Sequence, residues 1–255
     1  MTQGISEAAA TSSPVRGQRI GRLAWRLAIM AVAVAFIGLC LARYDLIPKM
    51  TGFMAFLGGG AVSLLALLLG LGALIAGRKG AFPGRGRVLV AVVVSLFYVG
   101  FLASRPLMAD DGPALHDITT DLANPPQFLA LPLRADNLVG VGTLENWRTL
   151  HAAAYGDLGP VTIAKPVAVV TADAVRLAED AGWEIAAHDA ARGHLEATAS
   201  VSFIRFRDDV VIRIVPVGDG HHSRVDMRSV SRVGVDDLGV NARRIRSFLA
   251  SLTSA

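Results

Sequence analysis

Residues 53–76 read FMAFLGGGAVSLLALLLGLGALIA, a run without a single charge. At 1.5 Å of helix rise per residue, such a run covers a hydrocarbon core of ~30 Å. Leu23–Ala42, on its N-terminal side, is a similar run interrupted only by Arg26, and Val88–Ser104 is a third, shorter one. Backbone in hydrocarbon has no water to bond to, so all three are expected as helices. The chain as a whole has 255 residues and is 53% hydrophobic. That is too apolar for an ordinary soluble domain and too polar for spans alone. The expected division is a disordered basic N-terminus (1–22), a three-helix transmembrane region (23–104), a Pro-rich linker (105–132) and an α+β domain (133–255).

Basic residues set the expected orientation. Arg16, Arg19, Arg22 and Arg26 open the first span, and Arg78, Lys79, Arg85 and Arg87 lie between the second and third. The opposite flanks hold only Arg43 and Lys49, then Arg105 followed by Asp110 and Asp111. Positive charge stays on the cytoplasmic side. The expectation is a multi-pass protein of the bacterial inner (plasma) membrane, N-terminus inside, with the C-terminal domain periplasmic or extracellular. The first span is preceded by basic residues like a signal sequence, but Leu41–Ala42–Arg43 makes a poor cleavage site, so it reads as a retained anchor. Leu39 before the lone Cys40 excludes lipoprotein acylation, where a small residue is needed. Gly58, Gly59, Gly60, Ala66, Gly70 and Gly72 let helices approach closely. No span carries an ionisable residue near its middle, which argues against a transporter or proton relay.

Charge separates the two halves. Residues 1–104 hold 10 Lys/Arg and 2 Asp/Glu, whereas residues 116–255 hold 14 Lys/Arg and 17 Asp/Glu. The basicity belongs to the membrane half, and the soluble half lacks the excess charge that a nucleic-acid contact draws on.

In the soluble half, a short helix is expected over Leu144–Ala154, and another from a Thr171 cap to Gly182. Leu195, Ala197, Ala199, Val201 and Phe203 then alternate with Glu196, Thr198, Ser200 and Ser202, a strand period of two. Trp183–Ala187 reads as the strand before it, Val210–Val217 and Arg224–Arg232 as the two after it, with turns at Arg207–Asp208 and Gly218–Asp219–Gly220. Leu238, Ala242, Ile245, Leu249 and Leu252 form one stripe of a last helix capped by Asp236 or Asp237. The expected fold is a four-stranded antiparallel sheet covered by helices on one face.

The other sheet face concentrates arginine and acid. Arg224, Asp226, Arg228 and Arg232 share a parity, Arg213 joins them from the neighbouring strand, and Arg205, Arg207, Asp208 and Asp209 lie beside it. Such a face can be a plain solvated surface with cross-strand ion pairs. It can also be a recognition surface for a lipid headgroup, a glycan or an envelope protein, since arginine forks suit carboxylates and phosphates. Asp208, Asp226, Ser229, Asp237, Asn241 and Arg244 complete the candidate set; an enzyme of hydrolase type would need them in one concavity. Ser229 and Asp226 have opposite parity, which argues against a triad with His222. The adjacent His221 and His222 point apart, so no metal site is expected, and no motif implies a cofactor.

Several blocks resemble a known bacterial and plastid family, domain of unknown function 1499. They are His116–Asp117–Ile118–Thr119–Thr120–Asp121 with Pro125–Pro126–Gln127–Phe128, then Arg205–Arg213, then Val225–Gly234 continuing through Asp237–Ala242 to Arg244–Arg246. The resemblance covers about residues 116–253. It implies an envelope setting behind a membrane anchor, and no activity, cofactor or catalytic residue.

Overall fold

The structure, a computed structural model, describes residues 16–78, 82–107 and 112–255. The polar N-terminus, Lys79 and the Asp110–Asp111 pair lie outside the described residues. The chain divides into two compact units, with the boundary in sequence after Leu107.

The first unit is three helices, α1 (Arg16–Arg43), α2 (Lys49–Ala76) and α3 (Arg85–Leu107). Each is long and apolar enough to cross a membrane. Their outer surfaces expose Phe36, Leu68, Val93 and Phe97, as expected of a bundle whose solvent is lipid. Contacts between them run through small residues. A Cβ on Gly52 would lie 2.3 Å from Ala42 Cβ, and one on Gly70 2.6 Å from a Val92 methyl carbon. Gly59 and Gly60 likewise face neighbouring helices, whereas Gly58 and Gly72 face open space. Gly52, Gly59, Gly60 and Gly70 therefore serve packing within this unit.

The second unit is an antiparallel sheet with helices. Its strands are β1 (Asp117–Thr119), β2 (Val161–Ile163), β3 (Glu184–Asp189), β4 (His194–Val201), β5 (Phe206–Val217) and β6 (His222–Ser231). The order is β1-β6-β5-β4-β3, with β2 also pairing β6. The sheet has six strands, not the four expected. β1 and β2 are three residues each, too short to show a period among their Pro- and Gly-rich neighbours. Helices α4 (Leu144–Tyr155), α5 (Val167–Asp180) and α6 (Val240–Ser254) complete the unit.

One sheet face forms the apolar core. Leu195, Val210, Ile212, Ile214, Val225 and Met227 pack with Val170, Ala174 and Ala178 of α5 and with Ala242, Ile245, Phe248, Leu249 and Leu252 of α6. Leu238 lies outside α6, half exposed and at φ 54°. Pro166, not Thr171, sets the start of α5. Its ring fixes φ and it lacks an N–H, which suits a helix entrance. Thr171 sits one turn inside, its hydroxyl donating to Val167 O at 2.8 Å. α4 does begin where expected, with the Thr143 side chain accepting from Asn146 N. It is tied to β1 by Trp147 Nε1 donating to Asp117 O (2.9 Å) and by His151 Nε2 accepting from Thr119 N (3.1 Å).

The turn expected at Arg207–Asp208 is displaced. β4 ends at Val201, and the chain reverses through Ser202–Arg205, where Ser202 and Arg205 take φ of 64° and 59°. Asp208 and Asp209 are strand residues of β5 and are buried.

The β3–β4 connection depends on Gly193, at φ 64°, whose carbonyl accepts from Ile214 N at 2.7 Å. A Cβ there would lie 2.0 Å from Ile214 O. Gly218, at φ 61°, has open space. Gly193→Ala is therefore expected to cost roughly 2 kcal/mol or more, and Gly218→Ala only about 1 kcal/mol of backbone strain. Urea unfolding of the full chain, followed by tryptophan fluorescence, checks the ranking; equal losses would mean that the close approach is relieved by movement.

Candidate functional site

Sheet register assigns the candidate residues to two opposite faces. Arg213 stands opposite Asp226, Val211 opposite Arg228 and Asp209 opposite Val230 on the face away from α5 and α6. His194, Glu196 and Thr198 of β4 continue that face. Asp208 stands opposite Ser231, and Val210 opposite Ser229, on the helix-covered face. Asp208 and Asn241 are thus separated by the sheet from Asp226 and Arg228. The set does not gather in one concavity.

The polar face is not open to water. Glu196 is fully buried, and Asp226, Asp209, Thr198 and Arg228 are buried too. The cover is the Pro-rich segment 121–134, part of which was expected to be a free linker. Its prolines, Pro125, Pro126 and Pro132, have no N–H to satisfy. The N–H groups of Leu129, Ala130 and Leu131 all donate to the Glu196 carboxylate. Burial alone would push the Glu196 carboxyl up. The three backbone donors and His194, 2.7 Å away, outweigh it and hold the carboxyl below its ordinary value.

Each arginine on this face is met by a carboxylate of the chain itself. Arg228 donates in a fork to Asp117 of β1, Nε at 2.9 Å and Nη2 at 2.6 Å, and its Nη1 reaches Pro126 O at 3.3 Å. Its guanidinium lies 5.9 Å from the Phe128 ring centroid, a further contact to the cover. Arg232 forks onto Asp209 with both distances 2.8 Å and also donates to Thr198. Arg213 and Arg224 share Asp226 and Asp121 at 3.0–3.1 Å. Burial would raise the Asp121 carboxyl, but the Asn124 N–H and these two arginines bring it below its ordinary value. Arg134 pairs with Asp136 and donates to the carbonyls of Ser231 and Gly234.

A comparison with curated proteins finds no match. Residues 117–252 match the model of a family described as a protein of unknown function, DUF1499. The chain belongs to the DUF1499 family. The match begins at Asp117, the first residue of β1 and the partner of Arg228, so the DUF1499 region includes the cover as well as the sheet.

The second network of the DUF1499 domain lies at the start of α6. Asn241 Oδ1 accepts from Ser229 Oγ at 2.7 Å, and its Nδ2 donates to His116 O and Ser231 Oγ, both at 3.0 Å. Arg244 donates to Asp208 at 2.6 Å, to Ser229 at 2.9 Å and to Asn241. Ser229 is thereby bonded to an amide and a guanidinium, with no base beside it. Gly239, at φ 73°, and not Asp236 or Asp237 is the N-cap of α6; Asp237, two residues before it, accepts from the N–H groups of Gly239 and Asn241. Burial pushes its carboxyl up to about 6, with Asp208 and Asp236 adding to the rise and the two N–H donors opposing it. Arg205 stands apart from both networks, exposed in the β4–β5 turn. No group of three or more His, Cys, Asp or Glu that could hold a metal ion occurs among the described residues.

Sequence reasoning did not assign partners to Asp117, Asp121 or Arg134. The signals around 117–134 were the resemblance of its blocks to a known family and the density of acids and prolines, which has no period.

Two outcomes follow from this geometry. Asp117→Ala leaves Arg228 buried without its carboxylate, and a loss of about 3–5 kcal/mol is expected, with faster proteolysis within 121–134. A cut rate equal to that of the unaltered chain would mean that the pair does not hold the cover. In the folded chain Asp237 keeps its proton up to about pH 6, against 3.8 ordinarily. Its contribution therefore favours the fold at low pH, declines as pH rises from about 4 to 6, and is an unfavourable constant above that. Relative to the unaltered chain, Asp237→Asn should gain stability across that window, by up to roughly 3 kcal/mol. Unfolding at pH 4.5 and 7.5 measures the difference.

Proposed function

We propose that the chain is a multi-pass bacterial inner-membrane protein that holds its DUF1499 domain outside the cytoplasm as a binding or interaction module of the envelope. The observation that carries this reading is the unequal charge at the ends of three apolar helices. Four arginines open or precede the first span and three arginines with Lys79 lie between the second and third, against Arg43, Lys49 and Arg105 on the other side. An odd number of spans then separates the N-terminus from the domain.

The arrangement of charges supports interaction over catalysis. Arginines and acids on both faces are engaged with one another, and Ser229 has no adjacent base. One end of the domain offers exposed apolar side chains. Phe203 on the β4–β5 turn and Val233, Val235 and Leu238 after β6 are exposed. They belong to one end of the sheet, where Arg232 N donates to Arg207 O. Gly140 approaches Val235 there, bringing the exposed Leu138 and Val139 to the same end. These apolar side chains, with the exposed Arg205 beside Phe203, favour an envelope protein as the partner ahead of a lipid headgroup or a glycan.

Topology is the test. Cys40→Ala removes the lone thiol, and Ala255→Cys places one at the end of α6. Labelling of intact cells by a membrane-impermeant maleimide is the expected result. Labelling only after lysis would put the domain in the cytoplasm and overturn the reading.

A further inference from the structure

The membrane unit contains an opening between the N-terminal parts of α1 and α3 that nothing above uses. It is a cavity of about 350 Å³ lined by Gln18, Arg22 and Trp25 of α1, Phe82 and Pro83 of the α2–α3 connection, and Arg87 of α3, among others. Gln18, Arg22 and Trp25 are spaced four and three residues apart, so they share one face of α1. Gly21 lets the two helices meet at the base of the cavity, because a Cβ there would lie 2.6 Å from a Val88 methyl carbon and 3.1 Å from the Phe82 ring.

Charge decides what this cavity suits. Between residues 16 and 107 the sequence holds one acid, Asp45. Asp45 sits in the α1–α2 turn, at the other end of α1, and pairs with Lys49 at 2.9 Å. Among the described residues of this unit no carboxylate is therefore placed to neutralise Arg22 and Arg87. In the second unit the buried Arg228 and the largely buried Arg244 each have an aspartate at 2.6 Å. Two exposed guanidinium forks beside a cavity, met by no acid among the described residues of the unit, complement an anion.

The apolar share of the lining narrows the anion further. Trp25, Phe82, Pro83 and Val88 lie beside the arginines. A hydrated inorganic ion gains little from such walls, whereas a phospholipid can place its phosphodiester on the arginines and its glycerol and first methylenes on the rings. Tryptophan and arginine at the end of a spanning helix also belong at headgroup depth. We infer that the cavity formed by Gln18, Arg22, Trp25, Phe82 and Arg87 is a seat for the headgroup of an anionic phospholipid. The inference rests on the helices being spans and is independent of which side of the membrane the DUF1499 domain occupies. It can therefore fail while the topology holds, and the reverse.

Native mass spectrometry of the full chain in a neutral detergent tests it. The probes are dioctanoyl phosphatidylglycerol, dioctanoyl phosphatidylcholine and inorganic phosphate. Phosphatidylglycerol should bind at about tenfold lower concentration than phosphatidylcholine, the scale expected of charge-assisted bonds to two arginines. Arg22→Gln with Arg87→Gln should abolish that preference. Arg19→Gln with Arg26→Gln, an equal charge loss on residues outside the lining, should leave it intact. Arg22→Lys with Arg87→Lys keeps the charge and should retain part of the preference, which separates loss of the seat from loss of folding. Equal binding of the two lipids, or equal damage from both glutamine pairs, overturns the inference in favour of diffuse surface charge. Inorganic phosphate binding as tightly as phosphatidylglycerol overturns the lipid assignment.

Discussion

The second layer of the DUF1499 unit depends on a carboxylate buried beneath three consecutive backbone N–H groups. Glu196 sits mid-strand on a face that an isolated sheet would turn to water. A buried carboxylate stays charged only where donors replace its hydration. The peptides of Leu129, Ala130 and Leu131 supply them, because a Pro-interrupted segment cannot spend its N–H groups on regular structure. Once that segment is down, Arg228 and Asp117 lie under it and find each other. The arginine-rich face thereby becomes an interior.

Ion pairs of this kind add little net stability compared with apolar packing, but removing one partner is costly. They also bear on register, since a slip of β6 by a single residue would turn Arg228 away from Asp117 and toward the layer under α5 and α6.

Much of the architecture is legible in the sequence. The three apolar helices follow from runs that leave the backbone one structure in lipid. The β4 strand follows from the alternation of Leu195 to Val201, although Phe203, expected to extend it, lies in the turn, and α6 follows from the stripe of Ala242, Ile245, Leu249 and Leu252. These are periodic signals, and burial of one face creates them. What was missed lacks a period. β1 and β2 are too short to show one. Adjacent Asp208 and Asp209 look like a turn, yet they alternate across a strand, one meeting Arg244 and the other Arg232. The candidate residues come from one crowded stretch, and parity divides them between faces. The cover was illegible because its partners lie far away in sequence, with Leu129 bonded to Glu196 and Asp117 to Arg228.

That distance has a consequence for how the domain is made. Asp117 and the cover leave the ribosome first, and Arg228 follows 111 residues later. Glu196 appears 67 residues after Leu129. The earliest-synthesised part of the domain therefore waits, unpaired, for nearly the last. Such long loop closures slow folding and prolong exposure of sticky strands. A chain interrupted before β6 has no partner for its first strand, so the domain matures as a unit, late, and is most vulnerable to proteases and aggregation while its C-terminal third is still being delivered.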